Sequence, residues 1–222
     1  MTSTTYRFAR CLGGFFEMSS VNARSLLPKH LQAIEVQHTR AVLAILGFQF
    51  RESEVGAYDE LVMAIITPPR VEPGSPLPKA AFFPFVVATS TESSRLHATE
   101  RWHLPNYPTT LDFSFREDRE AVGVHVSDRG SPVLSLSVTP HRFTPMTHMY
   151  HSFMVSPTDG AAYKVSIQMG GPYSEHEEER GTLVLNEHGI TEGLDLDELD
   201  RVPFREEWYR NGVQVFGELE RL

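Results

Sequence analysis

Residues 100–113 read E-R-W-H-L-P-N-Y-P-T-T-L-D-F, packing two prolines, a Trp, a His, a Tyr and two carboxylates into fourteen residues. An X-Pro pair holds the residue before it in extended or turn backbone. That happens twice here, at Leu104-Pro105 and Tyr107-Pro108. The segment reads as a stiff turn that aims polar side chains in fixed directions, the kind of loop on which function tends to sit.

Downstream, T-T-L-D-F-S-F, A-V-G-V-H-V-S and P-V-L-S-L-S-V-T alternate at period two. They are expected to be half-buried antiparallel strands with turns at 116–120 and 128–132. Residues 141–155 are mixed, and an irregular start is expected there. A-Y-K-V-S-I-Q-M and R-G-T-L-V-L-N read as strands on either side of an acidic loop, P-Y-S-E-H-E-E-E. The end, 194–219, is expected to hold a strand or short helix and then a terminal helical segment.

Upstream, 90–97 reads as a short helix and A-A-F-F-P-F-V-V-A-T as a strand. Residues 68–79 carry five prolines and form a surface loop. L-V-M-A-I-I-T and the apolar run 41–50 make a hairpin across a polar turn. Ser19 or Ser20 can cap a helix that runs through Leu27 and stops near Pro28. F-F-E-M, after Gly13-Gly14, has the look of an N-terminal strand entering a turn. About eight to ten short strands with few helices give an α+β class, a mostly antiparallel β-barrel or cone, in one domain over 1–222.

Composition narrows the function. The net charge of −9, with acidic clusters at 175–179 and 195–200, speaks against a nucleic-acid footprint. The single cysteine, Cys11, rules out an internal disulfide framework and a Cys-based zinc cluster. No apolar run approaches the roughly 18 residues of a membrane span, and M-T-S-T-T-Y-R-F-A-R lacks the apolar core of a signal peptide. A soluble, cytoplasmic protein without membrane partners is expected. Of the 20 basic residues only Lys29, Lys79 and Lys164 are lysines, and only a lysine amine can form an imine with a ketone.

The order of features resembles the acetoacetate decarboxylase family over nearly the whole chain. L-L-P-K-H-L at 26–31 is similar to its helix and Pro-containing turn. V-G-A-Y-D-E at 55–60 resembles its G-x-Y-x-E. A-T-E-R-W-H-L-P-N-Y at 98–107 resembles its G-R-E-x-x-G-x-P-K-K. V-P-F-R-E-E-W-Y resembles its closing segment. The resemblance implies an antiparallel cone around an apolar cavity, a small-molecule substrate, no cofactor and a homo-oligomer. It also implies a loss. The family's first lysine after the proline forms the Schiff base and the second lowers its partner's pKa, and here those positions are Asn106 and Tyr107. The Arg of the G-R-E segment is replaced by Thr99, while Glu100 remains. An acidic residue that the family carries on the strand before G-x-Y-x-E has no counterpart in the apolar run here.

The candidate residues follow. Glu60 matches the family's active-site glutamate, and a carboxyl facing an apolar cavity exchanges protons near neutral pH. Tyr107 is a candidate acid, and Asn106 a candidate oxyanion holder. His103 could act as acid or base, with Glu100 and Trp102 beside it as binding residues. Arg10 could hold a substrate carboxylate as a bidentate fork. A bland alternative stands beside each: a solvated turn glutamate, a degenerate turn, a surface arginine. His148-x-x-His151 and His141 have no recognisable third ligand, so no metal is expected. Lys79 follows a proline in the 68–79 loop, where a relocated Schiff base is the remote alternative. Acidic residues 175–179 read as a solvated loop that could cover the cavity. Two readings result: an imine-free enzyme for dehydration, isomerisation or cyclisation of a small keto or polyketide-like substrate, or a barrel that sequesters a small apolar ligand.

Overall fold

The computed structural model describes residues 3–71 and 73–222. In chain order the elements are β1 (Thr4–Ser19), α1 (Ser20–Leu26), β2 (Glu35–Gln37), β3 (Arg40–Glu52), β4 (Tyr58–Thr67), β5 (Ala80–Thr89) and α2 (Glu92–Trp102). There follow β6 (Asp112–Glu117), β7 (Val122–Asp128), β8 (Ser131–Val138), β9 (Thr144–Val155), β10 (Ala162–His176), β11 (Thr182–Leu185), β12 (Arg205–Phe216) and β13 (Glu220–Arg221). Seven strands pair in the order β1-β12-β10-β9-β5-β4-β3, and β3 returns to β1 and closes the barrel. β5 with β9 is the parallel pair in this ring. Strands β11-β8-β7-β6 form a separate four-stranded sheet. The expected class, an α+β barrel with few helices, is what the chain adopts. No helix among the described residues is long and apolar enough to cross a membrane.

Side-chain alternation explains the apolar runs. On β4, Tyr58, Glu60, Val62, Ala64 and Ile66 belong to one packing face, while Leu61, Met63 and Ile65 belong to the other. β3 divides likewise, with Val42, Ala44 and Phe48 on one side and Leu43 and Ile45 on the other. The first set fills the barrel. The second packs beneath the small sheet against Val122, Val124, Val126, Leu134 and Leu136. Both faces of β3 and β4 are therefore buried. The two sheets meet closely at Gly47, where a Cβ would lie 2.9 Å from Val124.

Three sequence expectations change. The terminal segment is strand, not helix: β12 places Glu206 and Trp208 on one face and Glu207 and Tyr209 on the other, a period of two. The 141–155 segment keeps its expected irregular start at 141–143 and becomes β9 at Thr144. α2 runs on to Trp102, so the first three residues of the 100–113 stretch are helical; its cap is Thr91, which accepts from Ser94 N at 3.2 Å. β10 extends to His176, so Glu175 is a strand residue rather than part of a solvated loop.

Glu206 ties the two sheets together. Only 1% exposed, its carboxylate accepts from Thr139 N at 2.6 Å and Thr139 Oγ1 at 3.1 Å, and from Arg180 N at 3.0 Å and Gly181 N at 2.6 Å. These donors flank β8 and β11. Glu206→Gln puts an amide donor against backbone N–H groups that have no other acceptor. It is expected to cost about 3 kcal/mol, read as a lower urea midpoint with unchanged m-value.

Candidate active site

The barrel holds a small, partly open cavity of about 80 Å³. Most of its wall is apolar, including Leu46, Phe48, Val62, Phe82, Ile167 and Phe216. The reactive groups on this wall are Cys11, Glu60, Tyr150, Ser152, Glu207, Tyr209 and Gln214. Several are set by register. Tyr209 pairs with Cys11, Cys11 with Phe48 and Phe48 with Glu60. These four cavity residues form one belt across β12, β1, β3 and β4. In a ring of seven strands, β12 stands on the far side of the barrel from β4.

Glu60 is 8% exposed and makes no hydrogen bond among the described residues. Desolvation in the apolar wall raises its pKa from 4.5 to about 8. The carboxyl is thus protonated at neutral pH and can donate. Asn106 lies nearby in the weave. It bridges Val87, whose N–H donates to Pro105 O at 3.0 Å and whose carbonyl accepts from Tyr107 N at 2.7 Å. Val87 pairs in turn with cavity residue Val62. Leu104, two residues earlier, also lines the cavity. This pairing turns Asn106 toward the barrel side of the wall, behind the residues that line the cavity, and both its amide atoms are buried without a partner.

The opposite wall carries a charged network. Glu207 Oε1 lies 3.3 Å from Lys79 Nζ and 3.5 Å from Arg205 Nε. Lys79 also pairs with Glu175 at 2.7 Å and bonds the Tyr173 hydroxyl. Arg205 pairs with Glu175 as well. Burial lowers the Lys79 pKa, Glu207 opposes that shift and Arg205 adds to it. Beside this network, the Tyr150 and Tyr209 hydroxyls lie 3.2 Å apart, and Tyr209 bonds His148 Nδ1. Burial, with Lys79 and Arg205 nearby, lowers His148 to about 4, so its ring is neutral at pH 7. Burial raises both tyrosines, keeping their hydroxyls protonated.

The other candidate residues lie away from the cavity wall. Tyr107 follows Asn106 in extended backbone and points the opposite way. It packs beneath the small sheet, 5.2 Å from the His188 ring. His103 ends α2 in left-handed backbone at φ 54° and faces Tyr163 at 4.8 Å. Glu100 is exposed on α2. Trp102 is buried behind the cavity, donating from Nε1 to Tyr6 Oη at 2.7 Å and packing 4.6 Å from cavity residue Phe216. Arg10 is engaged by Glu117 at 3.1 Å and by Gln49. His148 and His151 fall on opposite faces of β9, as residues three apart on a strand must. Sequence reasoning missed Tyr150, Glu207, Tyr209 and Gln214. For Glu207 and Tyr209 the usable signal was the alternation in E-E-W-Y, which the helical reading hid; Gln214 lies an odd number of residues further on, beyond the irregularity opposite Gly170–Tyr173 and at Asn211, so no simple alternation marks it.

The chain matches no protein-family model and no curated protein. It is similar to solved structures. Acetoacetate decarboxylase from Legionella pneumophila subsp. pneumophila str. Philadelphia 1 superposes with a TM-score of 0.71 at 11% identity, over 98% of this chain and 86% of that one. An acetoacetate decarboxylase-like enzyme from Sphingomonas wittichii RW1 gives 0.65 at 15% identity, over 100% and 92%. The enduracididine biosynthesis enzyme MppR, complexed with pyruvate, gives 0.64 at 11% identity, over 98% and 90%. With this strand order, this cavity and these neighbours, the chain has the acetoacetate decarboxylase fold.

Proposed function

We propose that the cavity is the active site of an imine-free acid–base enzyme acting on a small keto or polyketide-like substrate, by dehydration, isomerisation or cyclisation. The observation that carries this is Glu60, a carboxyl held protonated at neutral pH in an apolar wall. Its proton goes to the substrate carbonyl oxygen. Glu207, paired with Lys79 and Arg205, takes a proton from the α-carbon across the barrel. The product of this exchange is the enol, from which elimination, double-bond shift or ring closure proceeds. The likeness to MppR, a biosynthesis enzyme, supports a role in secondary metabolism. Lys79 is bound into ion pairs, and Asn106 cannot form an imine. The apolar wall also favours a second reading, a non-catalytic barrel that holds an apolar ligand.

The test is α-proton exchange of 2-octanone in D2O, followed by proton NMR. The protein is expected to catalyse exchange, and Glu60→Gln to lower the rate about 10²–10⁴-fold. Equal rates would remove Glu60 from the chemistry, and no catalysed exchange would favour the binding protein. In parallel, borohydride added with acetoacetate should leave Lys29, Lys79 and Lys164 unmodified. A reduced adduct on Lys79 would overturn the imine-free mechanism.

A further inference from the structure

We propose that Gln214 reads a second oxygen function on the substrate, so that the preferred ligands are hydroxyketones or diketones rather than simple ketones. The inference rests on the reading above that the cavity takes a ketone. Gln214 lines the cavity, is 5% exposed, and its Oε1 has no hydrogen-bond partner. Its amide makes no side-chain hydrogen bond among the described residues. A buried amide left unpaired costs on the order of 1–3 kcal/mol, so a polar ligand atom that meets it is favoured over an apolar one.

The rest of the wall separates this position from the reacting centre. Gln214 lies five residues beyond Tyr209 on β12, pairing with Tyr6 on β1 and Met169 on β10. Its cavity neighbours at this level include Met169, Ile167 and Phe216, which offer no hydrogen bond. Glu60 belongs to the Tyr209 level. The other polar groups on the wall are largely committed: Glu207 to Lys79 and Arg205, and Tyr150 to Tyr209. An amide can donate or accept, so it serves a hydroxyl or a carbonyl equally. The ligand that satisfies both places has one oxygen at Glu60, an apolar stretch of several bonds, and a second neutral oxygen at Gln214. A carboxylate in the second place would be buried with no cation on the wall beside it.

The test compares 2-octanone with 8-hydroxy-2-octanone by ligand-observed NMR titration of the full chain. The protein should bind the hydroxyketone about tenfold more tightly. Gln214→Leu should abolish that preference while holding 2-octanone within about twofold. Gln214→Met, closer in shape to the native side chain, should do the same, so a folding defect of one variant does not decide the matter. Glu60→Gln should leave the preference intact. Equal affinities in the unmodified protein, a preference that survives both Gln214 variants, or no binding of either ketone would overturn the proposal. If the preference is present but α-proton exchange is absent, the acid–base reading fails and the Gln214 assignment stands. If exchange is present without the preference, the reverse holds.

Discussion

At about pH 9 the Glu60→Gln variant is expected to be more stable than the unmodified protein, by roughly 4 kcal/mol. The reason is the Glu60 pKa, 4.5 ordinarily and about 8 in the fold. Between these values the folded chain holds a proton that the unfolded chain has released. The unfolded state thus binds fewer protons, and stability falls as pH rises through this window. Below about 4.5 both states are protonated and the carboxyl costs nothing extra. Above about 8 the folded protein must bury a carboxylate among apolar neighbours, and the full penalty applies. Glutamine is neutral throughout, so its stability curve lacks this descent. Thermal melts across pH should nearly coincide for the two proteins at about pH 4 and diverge by roughly 10 °C at about pH 9. Parallel curves would mean that Glu60 is ionised in the fold, and the acid role would go with it. The acid form proposed for Glu60 should be lost over the same upper range.

Trp102→Ala should lower stability by about 3–5 kcal/mol, a fall of roughly 10 °C or more in the melting temperature. Trp102 is 4% exposed and closes the barrel behind Phe216. Truncation removes the indole from this packing and one donor from Tyr6. Tyr6 keeps His97, whose Nε2 lies 2.7 Å from its hydroxyl. Trp102→Phe retains most of the apolar body and should cost about 1–2 kcal/mol. A change to Ala that leaves the melt untouched would show that this end of the barrel is not packed as described.

The strands of the first half were legible because their alternation or continuous apolar character survives in sequence. V-L-A-I-L-G-F and L-V-M-A-I-I-T are apolar throughout because both faces are covered, one by the cavity and one by the small sheet. β12 was not legible. Its two glutamates sit next to each other in sequence and on opposite sides of the wall, one clamping the small sheet and one facing the cavity. Adjacent like charges read as a solvated helix face unless the wall between them is known. The 100–113 stretch was legible as a rigid feature but not in its directions. Extended backbone sends Asn106 inward and Tyr107 outward, which no residue type announces. Glu60 could be singled out by its apolar flanks and its G-x-Y-x-E context. The groups that face it come from strands about 150 residues away and carry no local mark.

The parallel pairing of β5 and β9 involves three residue pairs, whereas β1 and β12 share eleven. The barrel is thus a book with a broad spine and a narrow fore-edge. Lys79 stands at the start of β5, on one cover, and its ion-pair partners Glu175 and Glu207 stand on the other. The amine that invites a reading as a displaced catalyst is placed as a clasp. It fastens the fore-edge, the one place where the two covers of the cavity can part with few hydrogen bonds broken.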